Sequence, residues 1–238
     1  MTGADADPRA ADPRAADPGA APGAAQPGRT RPRRRPRRDA EANRERLLSA
    51  AASAMMRHGR HVPLADIAAE AGVGVGTLYR KYPDRDALLQ ALEHRAYDHL
   101  RRILDEIAGR SLPGLDAVRE YLARTLDIAD QLVLPLHGAP PLVTAEAVAA
   151  RQEISARLDG FIARGHADGT IAAPVNATDI IVFSALITQP LAHGPDWPRL
   201  AARQLAVFLN GLAVPGPAGI PGPPVSSQDI ETAFTTPG

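Results

Sequence analysis

From about Asp39 to Leu212, apolar residues return at helical spacing, and nowhere does the pattern alternate as paired strands would. A first helix is predicted from about Asp39 to His58, where Leu47, Leu48, Ala51, Ala52, Met55 and Met56 share one face and Gly59 provides a stop. A short second helix spans about Leu64 to Ala71, opened by Pro63 and closed by Gly72. A third covers about Val75 to Tyr82 and is stopped by Pro83. Asp84 caps a long helix over about Arg85 to Ala108, whose stripe is Leu89, Leu92, Ala96, Leu100, Ile103 and Ile107. Further helices are predicted at about 113–133, 144–168, 177–192 and 196–212. The β-branched residues of 177–192 would allow a strand, but its length and helical neighbours favour a buried helix. The expected class is all-α.

Composition sets the ends apart. Thirteen of the 23 prolines fall within residues 1–38 and 213–238. After Met1 the first of these has no large apolar side chain, and it repeats Ala-Asp-Pro-Arg-Ala. It cannot offset the roughly 1–2 kcal/mol of backbone entropy lost per ordered residue, so it is expected to be disordered. The Pro/Gly-rich 213–238 segment is expected to be a flexible tail as well.

Charge changes the picture more than its total suggests. The chain carries 27 basic and 27 acidic side chains, yet nine Arg face only four Asp in residues 1–38, and residues 84–238 are net acidic. A basic leading end on an acidic body suggests a nucleic-acid or membrane partner for that end. The longest strongly apolar run, Ile180–Ile187, is far short of the roughly 20 residues that cross a bilayer, and no secretory apolar region is evident at the N-terminus. With no cysteine there is no disulfide, thiolate nucleophile or Cys-based metal site. His94, His99, His137, His166 and His193 are scattered without the i, i+4 pairing of a helical zinc site. Ser49, Ser53 and Ser184 have no nucleophile-elbow signature. Gly72-Val-Gly-Val-Gly76 lacks the Lys and Ser/Thr of a phosphate loop. No enzyme, metal or cofactor is expected.

The informative stretch is Leu64 to Pro83. Two short helices flank a turn at Gly72, and the small Ala68 and Ala71 allow close packing, as in a helix-turn-helix. In that motif the second helix enters the major groove. Here it opens with Gly74, Val75, Gly76 and Thr77, small enough to approach base edges, and then offers donors in Tyr79, Arg80, Lys81 and Tyr82. Leu78 points inward.

From Ile67 to Leu89 the chain reads Ile-Ala-Ala-Glu-Ala-Gly-Val-Gly-Val-Gly-Thr-Leu-Tyr-Arg-Lys-Tyr-Pro-Asp-Arg-Asp-Ala-Leu-Leu. With Arg46-Leu-Leu-Ser-Ala-Ala51 and Gly59 before it, this resembles the DNA-binding domain of TetR/AcrR-type repressors over residues 40–100. The resemblance implies a homodimer on a pseudo-palindromic operator, with a helical C-terminal domain that dimerises through about 177–212 and binds an unknown small-molecule effector. It implies a three-helix head (39–100, motif at about 63–82), a body (101–212) and a cytoplasmic, nucleoid-associated location in a bacterium. Val75, Gly76 and Thr77 would face base edges, Tyr79 and Lys81 would reach phosphates, and Arg85 would anchor the fourth helix on the DNA backbone. One departure stands out: Val62, Pro63 and Leu64 offer no hydroxyl to cap the second helix and touch phosphate. Gly74 and Gly76 also weaken the third helix by roughly 1 kcal/mol each, so contact with DNA would firm it.

Beyond the motif, the Arg cluster that includes Arg33, Arg34, Arg35, Arg37 and Arg38 is either a solvated tail or an arm reaching the adjacent minor groove. Tyr97, Tyr121, Phe161, Gln189, His193 and Trp197 are candidates for an effector pocket or for packing. Two other functional readings stay open: a nonspecific architectural DNA binder driven by the Arg tail, and a helical ligand-binding module or enzyme with a vestigial head.

Overall fold

A computed structural model describes residues 36–137, 141–189, 196–213 and 225–235. Nine α-helices and no strand occur among them: α1 Pro36–His58, α2 Leu64–Glu70, α3 Val75–Lys81, α4 Arg85–Ala108, α5 Gly114–Asp127, α6 Ala145–Ala167, α7 Ala177–Ile187, α8 Trp197–Ala213 and α9 Ser227–Thr235. Two 3-10 turns, Ala129–Gln131 and Pro135–His137, follow α5. No helix of the described chain is long and apolar enough to cross a membrane.

The buried side chains form two clusters. Leu47, Leu48, Ile67, Leu78 and Leu88 belong to that of the head. Leu104, Val118, Leu122, Leu158 and Ile180 belong to that of the body. α4 serves both. Its first half gives Leu88, Leu89 and Leu92 to the head and its second half gives Ala96, Leu100, Ile103 and Ile107 to the body. One continuous helix therefore carries the head's position into the body.

Local chemistry explains the boundaries. Gly59 and Gly72 adopt φ of +82° and +65°, a region in which side chains bearing a Cβ are strained. At Gly72 the α2 C-terminus closes with two crossed bonds, Val73 N to Ala68 O at 3.0 Å and Gly72 N to Ala69 O at 3.1 Å. α2 has no side-chain cap on Pro63, in keeping with its missing hydroxyl. Asp84 caps α4 by accepting from the Ala87 amide at 2.7 Å.

Several expectations need correction. The helix expected at 113–133 ends at Asp127, because the chain must turn there: Leu132 enters the body core and Val133 the head core. In the same turn Ser49 donates to Gln131 at 2.9 Å, and the Gln131 amide donates to Ser53 at 3.0 Å, docking the segment on α1. α7 ends at Ile187 rather than 192; there the Thr188 hydroxyl bonds back to the Ser184 carbonyl at 2.8 Å. α1 starts at Pro36, so Arg37 and Arg38, expected in the disordered tail, lie in its first turn. Within the expected tail 213–238, Ser227–Thr235 is helical. Ser226 and Asp229 exchange bonds at that helix start: the Ser226 amide donates to the Asp229 carboxylate at 2.8 Å and the Asp229 amide to the Ser226 hydroxyl at 3.2 Å.

Candidate nucleic-acid interface and ligand cavity

α3 is anchored by one side chain. Leu78 is fully buried, and the rest of the helix faces out. Val75 is 41% exposed and Tyr79 48% exposed, one turn apart on the same face. Gly74, Gly76, Arg80 and Lys81 are exposed as well, and Thr77 is half-buried. Two large side chains are thus left uncovered at i, i+4 beside basic donors. Arg80 donates to the Thr77 hydroxyl at 3.1 Å, which pre-orients both.

Two of the expected contacts face another way. Tyr82 is 7% exposed within the head cluster, with its hydroxyl beside the Arg44 guanidinium. Burial pushes that hydroxyl above the usual phenol range. Arg85 turns back across the head. Its guanidinium donates to the carbonyls of Arg60 and Val62, the latter at 2.7 Å. These bonds tie the start of α4 to the loop preceding α2, where a hydroxyl cap is missing. Arg33, Arg34 and Arg35 lie outside the described residues.

The body holds a partly open cavity of about 120 Å³ between α4, α5, α6, α7 and α9. Its wall is largely apolar, with Leu100, Leu132, Ile154 and Ile181 contributing. Of the pocket candidates, Tyr97 and Tyr121 line it, whereas Phe161, Gln189 and Trp197 do not. Phe161 is buried about two turns farther along α6 than the cavity-lining Ile154, with the Arg164 guanidinium 4.9 Å from its ring centre. Gln189 is exposed, Trp197 packs against the body core, and His193 lies outside the described residues. Burial raises the Tyr121 hydroxyl to about 12, so it is a neutral donor in the cavity.

Beside the Tyr97 and Tyr121 hydroxyls, the polar groups at and behind the cavity wall belong to residues that were not pocket candidates in the sequence. Arg151 on α6 makes a fork with Glu231 on α9, Nε to Oε1 at 2.5 Å and Nη2 to Oε2 at 2.6 Å. Its Nη1 donates to the Leu142 carbonyl at 2.9 Å and to the Tyr97 hydroxyl at 3.4 Å. Glu93 on α4, 1% exposed, accepts from the Tyr97 hydroxyl at 2.7 Å and stands 3.6 Å from Arg151. Burial pushes the Glu93 carboxyl above its ordinary range. His137 bridges the cavity wall, with Nδ1 3.0 Å from the Leu132 carbonyl and Nε2 3.0 Å from the Thr188 hydroxyl. Burial lowers its pKa. One signal for α9 was available in the sequence: Ser226-Ser-Gln-Asp229 is a helix-start spacing, hidden behind a Pro/Gly-rich run. Arg151 and Glu93 carry no such signal, since each looks like an ordinary charge on an amphipathic helix.

Comparison with known proteins places this arrangement. The family profile described as "Bacterial regulatory proteins, tetR family" matches residues 47–92. The HTH-type transcriptional repressor LfrR of Mycolicibacterium smegmatis is 32% identical over 114 residues, 48% of this chain and 59% of that protein. The HTH-type transcriptional regulator SAR0097 of Staphylococcus aureus is 29% identical over 102 residues, 41% of this chain and 53% of that one. The chain thus spans between half and two thirds of the curated relatives it matches. A solved structure covers more. The TetR transcriptional regulator SCO0520 from Streptomyces coelicolor is 31% identical, with a TM-score of 0.51 over 73% of this chain and 99% of that one. The fold of the TetR family protein CprB from S. coelicolor A3(2) is also alike, with a TM-score of 0.58 over 82% of this chain at 18% identity. With the exposed α3, the shared α4 and the body cavity, these matches show that the chain belongs to the TetR family of bacterial regulatory proteins.

Proposed function

We propose that the chain is a homodimeric, sequence-specific DNA-binding repressor that a small molecule releases from its operator, and that it is not an enzyme. The observation that carries the reading is the uncovered face of α3, where Val75, Tyr79 and Lys81 stand out from a helix held by Leu78 alone. Val75 suits contact with a thymine methyl, Thr77 a base edge, and Lys81 a phosphate. Arg37 and Arg38, in the first turn of α1, add basic charge at the leading end of the head.

Dimerisation through α7 and α8 is supported by their uncovered apolar side chains. Leu186 is 65% exposed, Val207 58% and Val182 38%, while Phe183 and Phe208 stack with ring centres 3.7 Å apart. A patch of this kind on two adjacent helices suits a second copy. Two heads on one dimer must then reach successive major grooves, about 34 Å apart or a small multiple. A ligand in the body cavity acts by preferring a state whose heads miss that spacing, with α4 as the connecting rod. Gel-shift titration on the gene's own upstream region tests this reading. Specific binding over random DNA at about 150 mM salt is expected. Equal affinity for both DNAs would mean a nonspecific binder.

A further inference from the structure

We propose that the cavity behind Arg151 binds a small carboxylate with an apolar body, and that Glu231 on α9 is a built-in competitor that holds the anion position in the ligand-free chain. The proposal rests on the effector-binding part of the reading above, and names the ligand class and the competing segment.

Three observations lead to it. The first is the state of Arg151. Its side chain is 12% exposed, and a guanidinium cannot shed its charge on burial. Glu93 stands 3.6 Å from Nη1. The fork formed by Nε and Nη2, the geometry that receives a carboxylate bidentately, is filled by Glu231. Phe234 adds its ring 5.3 Å from the same guanidinium. α9 therefore presents a carboxylate and an apolar ring together, which are the two parts of the proposed ligand.

The second is the shortness of α9. It is 9 residues long, below the length at which an isolated helix is stable. Beyond Glu231 and Phe234, its anchoring includes one bond from the Asn176 side chain to the Val225 carbonyl at 2.9 Å. The third is the space behind it. With Glu231 and Phe234 in place the cavity is about 120 Å³, and both side chains line it, so their departure enlarges it toward the space an apolar tail needs. Leu100, Leu132, Ile154 and Ile181 would hold that tail.

The exchange reaches the head through α4. Tyr97 donates to Glu93 and receives from Arg151, and both Tyr97 and Glu93 are on the helix that starts just after the reading helix. A ligand that displaces Glu231 and draws Arg151 toward itself changes the partners of two buried α4 side chains. α9 also acts as a tax on affinity, because the ligand binds only the fraction of molecules in which Glu231 has left.

Calorimetric titration of the full chain tests the proposal. The probes are the straight-chain carboxylates from butyrate to decanoate, benzoate and phenylacetate, each beside its primary amide. Glu231→Gln is expected to tighten carboxylate binding about ten- to a hundredfold relative to the parent chain, with each carboxylate held more tightly than its amide. Arg151→Lys keeps the charge and loses the fork, and is expected to weaken the same carboxylates at least about tenfold. Hydrogen exchange of the α9 amides should quicken when a carboxylate binds. The proposal is overturned if no carboxylate binds Glu231→Gln more tightly than its amide, if Glu231→Gln and the parent bind alike, or if Arg151→Lys binds as the parent does. Gel shifts on the same proteins separate the two readings. Specific DNA binding with any of these negative titrations rejects the carboxylate site alone, whereas loss of specific DNA binding in the parent rejects the regulator reading.

Discussion

Gly114 at the start of α5 lies against Gly165 on α6 so closely that a Cβ on Gly114 would stand 2.1 Å from the Gly165 nitrogen and 2.7 Å from the Phe161 carbonyl. Both obstacles are backbone, which cannot rotate away. The approach also lets the Gly114 amide donate to the Asp168 carboxylate at 3.2 Å. Gly114→Ala is therefore expected to destabilise the body by about 3 kcal/mol or more, the upper end of overpacking costs. Urea unfolding followed by circular dichroism measures it, and a loss under about 1 kcal/mol would mean that the two helices can separate cheaply.

Thr77 and Lys81 should separate specificity from affinity. Thr77→Ala removes a hydroxyl near the start of α3, proposed to meet base edges, together with the bond from Arg80, and should reduce discrimination between operator variants. Lys81→Ala should weaken binding to all DNA about equally and lower the salt slope by about one unit. Gel shifts over a salt series read both. A sequence-dependent effect of Lys81→Ala would move that residue from the phosphates to the bases.

Arg85 is expected to act first on the head's own stability. Its guanidinium donates to the carbonyls of Arg60 and Val62, so Arg85→Met leaves carbonyl groups of the α1–α2 loop without a partner. A loss of about 1–3 kcal/mol is expected in thermal or urea unfolding without DNA. A group serving only as a phosphate anchor would leave the DNA-free protein unchanged.

Glu93 gives the protein a pH dependence of known sign. Burial raises its carboxyl in the folded state above the ordinary value of 4.5. Below the ordinary value both folded and unfolded chains hold the proton, and the contribution of this group to stability is complete. As pH rises the unfolded chain releases its proton first, so that contribution falls until pH passes the folded-state value. Glu93→Gln cannot ionise. Its stability relative to the parent should therefore grow as pH rises from 4.5, and denaturant titrations at a series of pH values would show the difference. A constant difference would mean that Glu93 titrates as an exposed carboxylate does.

The head was largely legible in the sequence because its determinants are local. Gly72 must adopt a positive φ, Ala68 must be small, Leu78 must be apolar and Asp84 must cap, and each requirement acts over a few residues. The orientation of Tyr82 and Arg85 was not legible. Both look like donors next to the reading helix, yet the end of α3 turns one into the core and the α1–α2 loop draws the other to its carbonyls. Among the pocket candidates, Tyr97 and Tyr121 line the cavity while Phe161 does not, although all three are buried aromatic residues on amphipathic helices. Periodicity says that such a residue faces inward, but not which interior space it meets.

By itself the sequence determined the all-helical class, the turn at Gly72, the capped start of α4 and a basic leading end on an acidic body. These follow from spacings of one to four residues and from charge counts, which a linear chain carries openly. Tertiary structure decided the rest. It divided α4 between two cores, sent Val133 back to the head, and brought Glu93, Arg151 and Glu231 together. Arg151 and Glu231 are separated by 80 residues, and only the packing of α6 against a short C-terminal helix makes them neighbours. A guanidinium that packing has buried must meet an anion, and which anion it meets depends on the helices around it rather than on the residues beside it in the chain.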